Sequence, residues 1–201
     1  MKIGIIGTGN VGGALAGAWV RSGHQVVAGV RENRPGKQQI AGMPAKSIAE
    51  AIQQSEVVVL SVPWAAAPEV VASVKDWSGK VLIDCTNPIG NGFELTAGFS
   101  TSGGEQIATQ ARNARVVKAF NTTGFGNMDN PRYEGKPTFM PYCGDDDAAC
   151  ATARQLIQDV GFEPVFVGPL KLARYLEPFA MLWISIAMKY GRDFAFAMLK
   201  R

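Results

Sequence analysis

Gly7-Thr8-Gly9-Asn10-Val11-Gly12 follows directly on the apolar run Ile3 to Ile6. A strand that stops in Gly-x-Gly-x-x-Gly and turns into a helix has the chemistry of a pyrophosphate site. Gly7 permits the tight turn, Gly9 lets the backbone approach a pyrophosphate, and Gly12 lets the helix pack on the strand. The helix read over 11–22 offers unpaired N–H groups and the positive end of its dipole to the phosphates. The plain alternative is a glycine-rich turn that holds no ligand.

The second strand, read over 24–29, narrows the ligand. An NAD site carries an Asp or Glu for the ribose hydroxyls at the end of this strand, about 20 residues past the glycines. Here the strand ends in Gly29-Val30-Arg31. Arg31, with Arg34 and Lys37 nearby, can hold a 2′-phosphate through charge-assisted hydrogen bonds. Glu32 is the rival, but it comes after Arg31 and past the strand end. The plain reading of these charges is that they keep a loop in water. The residues favour NADP(H) over NAD.

The elements that must position these groups alternate strand and helix along the whole chain. Strands read at 56–62, 80–85, 115–120, 138–143 and 163–167, with helices between them. Ser47-Ile48-Ala49-Glu50 is a capping box that opens a helix to about Gln54. Everything after Pro169 reads as helix. The expected fold is a doubly wound, mostly parallel α/β Rossmann sheet with helices on both faces and a helical C-terminal extension. Residues 1–167 form the nucleotide domain, and 168–201 pack on the cleft or on a dimer partner.

In such sheets the ligand lies beyond the carboxyl ends of the strands. That rule selects Ser61-Val62-Pro63-Trp64, Thr86-Asn87-Pro88, and Ala119 with Phe120-Asn121-Thr122-Thr123. Ser61, Val62, Pro63, Asn87, Pro88, Ala119 and Asn121 are the cofactor candidates. Trp64, Asn121 and Thr122 are the substrate candidates. Each has a plain alternative: the prolines terminate strands, Trp64 belongs to the core, and Asn121 and Thr122 satisfy local backbone groups.

Composition excludes several classes. With 201 residues, 47% apolar and 18% charged, the chain holds one α/β core and an appended segment. A net charge of +3 without a basic block argues against nucleic acid and membrane surfaces. The first residues already form a core strand, so no signal peptide is expected, and the location expected is cytoplasmic. Cys85, Cys143 and Cys150 form no C-x-x-C pair and read as buried, reduced thiols. His24 is the only histidine, which excludes a histidine triad, and no metal-ligand spacing appears. Asp84 and Asp145 to Asp147 read as capping and surface acids.

The chain resembles the NADPH:coenzyme F420 (deazaflavin) oxidoreductase family. The similar motifs are the glycine hexapeptide, Gly29-Val30-Arg31, Val62-Pro63-Trp64, Cys143-Gly144-Asp145-Asp146-Asp147, and Gly168-Pro169-Leu170 with Ala173-Arg174-Tyr175-Leu176-Glu177. They cover essentially the whole length. Val117-Lys118-Ala119-Phe120-Asn121-Thr122 is similar to the reductase domain of six-transmembrane metalloreductases. The resemblance implies a short Rossmann domain that binds NADPH, with a second redox ring stacked on the nicotinamide. It places Thr8 to Val11 at the pyrophosphate, Val30 and Arg31 at the 2′-phosphate, and Val62 and Pro63 along the nicotinamide half. Val30 stands where the family has Ser, and Asn121 where the deazaflavin enzymes have histidine.

Hydride transfer between two flat rings needs donor and acceptor carbons held about 3–3.5 Å apart in a dry site, not an acid or base. No catalytic side chain is therefore assigned. Pro63, Trp64, Phe120 and Phe125 would wall the cleft, and Met181, Leu182 and Trp183 would either line it or form a homodimer face, the helical spacing favouring the latter. The expected activity is hydride transfer between NADP(H) and a flavin-like or F420 ring, a small-molecule acceptor. The alternatives are a flavin- or metal-reductase-like electron donor and a non-catalytic NADPH-binding sensor. A hydroxy-acid dehydrogenase would need a general base, and Lys118 is the only basic candidate near that edge.

Overall fold

Alternation of apolar side chains to both faces dictates a sheet covered on both sides. The computed structural model describes residues 1–31, 39–40, 42–199 and 201; the candidates Arg34, Lys37 and Glu32 lie outside them. The elements run β1 (Lys2–Ile6), α1 (Asn10–Arg21), β2 (Gln25–Val30), β3 (Gln39–Ile40), β4 (Met43–Ser47), α2 (Ile48–Gln54) and β5 (Val57–Leu60). They continue with α3 (Ala67–Ala72), β6 (Val81–Asp84), α4 (Gly103–Gln110), β7 (Arg115–Lys118), α5 (Phe125–Asp129), β8 (Arg132–Tyr133) and β9 (Lys136–Pro137). Then come β10 (Phe139–Gly144), α6 (Asp147–Val160), β11 (Glu163–Gly168) and α7 (Ala173–Tyr190).

Among the described residues the main sheet has the order β11-β10-β7-β6-β5-β1-β2-β4-β3. The pairs from β7 through to β4 are parallel. β10 runs antiparallel to β7, pairing Cys143 with Lys118, and β11 is parallel to β10. The doubly wound, mostly parallel α/β architecture expected from the sequence is therefore present. Val57 and Val59 enter one core cluster, while Val58 and Leu60 enter the other. Ile83 and Leu82 divide the same way in β6.

Three local features depart from the sequence expectation. β4 lies against β2, although its sequence Met-Pro-Ala-Lys-Ser carries little strand propensity; burial of Met43 and pairing to β2 outweigh that. The chain after Pro169 is not all helix. Gly191 at φ +89° stops α7, and residues 191–199 return as extended chain. Phe194 and Phe196, spaced two apart, fold back on it: Phe194 stacks on Trp183 at 5.1 Å, and Phe196 lies 4.9 Å from Phe179. Trp183 is thus buried within its own chain rather than on a dimer face.

The third departure is Asp84, which is no surface acid. Lys118, Asp84 and Glu177 have no exposed side-chain surface. Lys118 Nζ lies 3.0 Å from Asp84 Oδ2 and 2.8 Å from Glu177 Oε1, and donates to the Thr86 carbonyl at 2.6 Å. Burial works against the Lys118 charge, but the two carboxylates outweigh it and hold its pKa above the usual lysine value. The Glu177 oxygens also accept from the Gly103 and Gly104 N–H groups at 2.9 and 3.0 Å, where a carboxylate complements a helix start. Arg174, one turn earlier on α7, grips Glu105 through two hydrogen bonds of 2.8 and 2.7 Å. The motif around Ala173 to Glu177 is therefore the anchor of α7 on β6, β7 and α4.

Replacing one member of this network strands the others. Glu177→Ala is expected to lower unfolding free energy by about 3–5 kcal/mol, read from urea denaturation. A loss below about 1 kcal/mol, the scale of exposed ion pairs, would show that the network is not an anchor.

Candidate functional site

The geometry of the glycine loop follows from close approach. Gly7 has φ +102°, and a Cβ there would sit 2.5 Å from the Ser61 carbonyl oxygen. A Cβ on Gly12 would collide with the Gly7 carbonyl. The Ser61 hydroxyl donates to the Gly7 carbonyl at 2.7 Å, which ties the loop to the end of β5. Gly9 is different: a Cβ there would meet nothing within 4 Å. The loop is shaped by packing at Gly7 and Gly12 and left open at Gly9.

α1 begins at Asn10 with no side-chain cap and no acidic residue in its first turn. By contrast Ser47, Ser102 and Asp146 cap α2, α4 and α6. α3, α5 and α7 also start without a side-chain cap; what sets α1 apart is that its first N–H groups adjoin the open glycine loop.

Two cavities flank this helix end. The larger, about 700 Å³, is lined by Gly7, Thr8, Gly9, Val30, Arg31, Ser61, Val62 and Pro63, all sequence candidates. Ile6, Gly29, Ile48, Ala66 and Val70 complete it. Sequence reasoning did not assign these five to the site because apolar residues that floor a groove look like residues that fill a core. Arg31 points a 62% exposed side chain toward this groove and lies 3.6 Å from Glu69. A pair this exposed holds it weakly.

The second cavity, about 420 Å³, lies on the other side of Val11. Its walls are Phe93, Phe125, Trp183, Ile184, Ala187 and Met188, with backbone from Thr123 to Gly126, and Arg192. The Trp183 ring packs so tightly on Gly124 that a Cβ there would collide with it. Trp183 Nε1 is buried with no hydrogen-bond partner among the described residues. Arg192 is the one ionisable side chain lining this cavity.

The remaining candidates are scattered differently. Asn10 is exposed at the helix start. Asn87 and Asn121 meet: Asn121 Nδ2 donates to Asn87 Oδ1 at 2.9 Å, and Asn87 Nδ2 donates to the Asn121 carbonyl at 2.9 Å. Asn121 Nδ2 also donates to the Leu176 carbonyl at 3.3 Å, which fixes the amide orientation and leaves Oδ1 buried without a donor. Pro88 and Ala119 are buried beside them.

Trp64, Thr122 and Phe120 do not face either cavity. Trp64 packs on the second core cluster and against Gly103. Thr122 is buried, its hydroxyl 3.7 Å from Met140 Sδ. Phe120 is 1% exposed and sits edge-on to Trp19 at 5.7 Å. Its φ of +62° is left-handed backbone, a strain of about 1–3 kcal/mol in a non-glycine residue. That turn carries the chain from β7 into Asn121, and nothing in the sequence announced it.

No side chain at the cavities is tuned for acid–base work. Lys118 is sealed in its ion pairs and cannot reach a substrate. Burial pushes the Cys143 thiol up to about 12 and raises Cys85 as well, so both stay protonated and unreactive near neutrality. The described residues hold no cluster able to ligate a metal and no helix long and apolar enough to cross a membrane.

Comparison with known proteins shows what the chain is similar to. Residues 2–88 match the family model described as NADP oxidoreductase, coenzyme F420-dependent. The match covers the glycine loop and β1 to β6 and makes this part of the chain similar to that family. The F420-dependent NADP reductase of Methanothermobacter thermautotrophicus is 29% identical over 210 residues, covering 94% of this chain and 90% of that protein. The rat metalloreductase STEAP3 is 29% identical over 183 residues, covering 88% of this chain but 36% of that protein. This chain therefore spans about a third of the metalloreductase's length. A solved structure of a candidate F420-dependent NADP reductase from Arthrobacter sp. FB24 superposes with a TM-score of 0.86 at 27% identity, and each chain is covered fully. Both resemblances drawn from the motifs are borne out.

The glycine loop makes a paired prediction. Gly7→Ala is expected to destabilise folding by about 1–3 kcal/mol, because an alanine there must adopt glycine backbone. Gly9→Ala should change stability by less than about 0.5 kcal/mol. It should nonetheless weaken NADPH by about tenfold or more, since its methyl enters the space left for the pyrophosphate. Thermal unfolding and nucleotide titration on both variants check the contrast.

Proposed function

We propose that this chain transfers a hydride between NADP(H) and a flavin-like or deazaflavin ring. The observation that carries the reading is the uncapped start of α1, set between a groove that ends in Arg31 and an apolar, aromatic cavity. The residues fit the nucleotide. Thr8, Gly9 and Asn10 would hold the pyrophosphate with backbone N–H groups, and Arg31 would take the adenosine 2′-phosphate in place of its loose pairing with Glu69. Val62 and Pro63 would line the path of the dinucleotide.

When bound, the reduced nicotinamide supplies the hydride. Asn121 has only an acceptor to offer, because its Nδ2 is already committed to Asn87 and Leu176. Its free Oδ1 suits the NH₂ of the nicotinamide carboxamide and not a ring carbonyl of the acceptor. Phe125, Trp183 and Ile184 give the second cavity apolar walls, and no carboxylate or imidazole lines it among the described residues. That suits ring-to-ring hydride transfer and not oxidation of a hydroxyl. The half-exposed Leu182 and the exposed Tyr175 on the outer side of α7 support a homodimer, which sedimentation tests.

NADPH oxidation, followed at its own absorbance band with F420, FMN, FAD or ferric chelates in turn, tests the reading. Turnover with a ring acceptor is expected. Turnover with ferric chelates only when free flavin is added would assign an electron-donor role. Tight NADPH binding without turnover on any acceptor would make the chain a sensor. Arg31→Ala should weaken NADPH by about 1.5–3 kcal/mol, the scale of charged hydrogen bonds, and leave NADH nearly unchanged. Equal losses for the two nucleotides would remove the 2′-phosphate assignment.

A further inference from the structure

The nucleotide groove has two walls of different origin. One is the end of β2, with Gly29, Val30 and Arg31. The other comes from the start of α3, where Ala66 and Val70 line the same groove. Glu69 stands three residues past Ala66, on the same side of the helix. Its Oε2 lies 3.6 Å from Arg31 Nη2. The rim at Arg31 therefore carries a carboxylate as well as a guanidinium.

That carboxylate has the chemistry missing from β2. A site for NAD takes the adenosine ribose hydroxyls on an acid at the end of the second strand. β2 ends in Val30 and Arg31 instead, and α3 brings Glu69 to the same place from a different part of the chain. The plain role for Glu69 is to complement the positive start of α3, in whose first turn it lies. Its side chain nonetheless reaches Arg31, and it makes no other ion pair among the described residues. With side chains 62% and 79% exposed, the two charges hold each other weakly, so either can be released to a ligand. A 2′-phosphate would take the Arg31 fork and be repelled by Glu69. A ribose with a free 2′-hydroxyl is a donor, and a carboxylate is an acceptor for it.

We infer that Glu69 sets the nucleotide preference of this groove. Its carboxylate accepts from the adenosine ribose hydroxyls of NAD(H), while Arg31 takes the 2′-phosphate of NADP(H), so the groove admits both nucleotides. This rests on the assignment of the Arg31 end of the groove to the adenosine ribose, which the Arg31→Ala comparison tests separately.

Titration with NADPH and NADH, both read by the fluorescence of the reduced nicotinamide they share, confines any difference to the adenosine end. The parent should bind both. Glu69→Ala should tighten NADPH by about three- to tenfold, the effect of removing one like charge beside an exposed phosphate. It should weaken NADH by about the same factor, through loss of an exposed hydrogen bond to a charged group. Glu69→Gln removes the charge but keeps an acceptor, so it should tighten NADPH as the alanine does and lose less NADH affinity. Added salt should shrink the NADPH gain, because it screens exposed charges. Glu69 is exposed, so both variants should melt as the parent does. Shifts of equal sign and size for the two nucleotides, no shift for either, or a parent without NADH affinity overturn the inference and leave the Arg31 assignment standing. A parent that binds neither nucleotide overturns both.

Discussion

Lys118 carries its charge with no exposed atom, and the elements that supply its partners cannot separate without stranding it. Asp84 comes from the end of β6, Thr86 from the loop beyond it, and Glu177 from α7. The Glu177 carboxylate also serves the start of α4. A buried ion pair is seldom worth more than apolar packing of the same volume, but its geometry is demanding. What it supplies here is position. It fixes the carboxyl ends of two central strands, where α/β sheets place their ligands, and it fixes the helix that carries Leu176 beside it and Trp183 and Ile184 about two turns further on.

The consequences run outward from that point. α7 held by Glu177 presents the Leu176 carbonyl to Asn121 Nδ2, and Asn121 in turn pairs with Asn87 from the loop after β6. The same helix presses Trp183 onto Gly124 and leaves a cavity against Val11 at the start of α1. The two cavities thus lie on either side of the start of α1, one lined by Gly7 to Gly9 and the other by Val11, because a sheet, a helix and an ion network each fix one wall. Phe120 adds the remaining constraint. Its left-handed backbone is tolerable because the ring is locked in the core against Trp19, so core packing sustains the turn that aims Asn121.

The sequence made the nucleotide side of the molecule legible and left the other side obscure, for a physical reason. Backbone binding of a pyrophosphate needs glycines at fixed spacing on a strand-to-helix turn, so the motif and the chemistry are local in sequence. The parallel strands are equally local, because burial on both faces leaves continuous apolar runs such as Val57 to Leu60. The second cavity draws on residues near 93, 125, 183 and 192, which no spacing rule links. Lys118, Asp84 and Glu177 looked like a strand lysine, a surface acid and a helical glutamate. Only their meeting in space makes them a network. Trp64 and Thr122 show the converse, since their position at strand ends fits a ligand while their side chains pack on the core and line neither cavity.

Under the proposed function, the same distinction bears on why the second cavity, the proposed place of the acceptor, is built from the C-terminal part of the chain. The glycine loop and β1 to β6 supply what every bound dinucleotide shares, and their geometry is set by backbone sterics that tolerate little change. The second cavity has no such constraint: apart from Val11, Phe93 and the turn at Thr123 to Gly126, its walls are side chains of α7 and of the segment that follows Gly191. Those walls can be recast without touching the sheet, provided that Glu177 and Arg174 keep α7 in register with α4 and β7. An anchor deep in the fold thus leaves the face one or two turns further along the same helix free of the constraints that shape the glycine loop. If the second cavity takes the acceptor, as proposed, its identity is to be sought around Trp183 and Ile184, and not in the glycines.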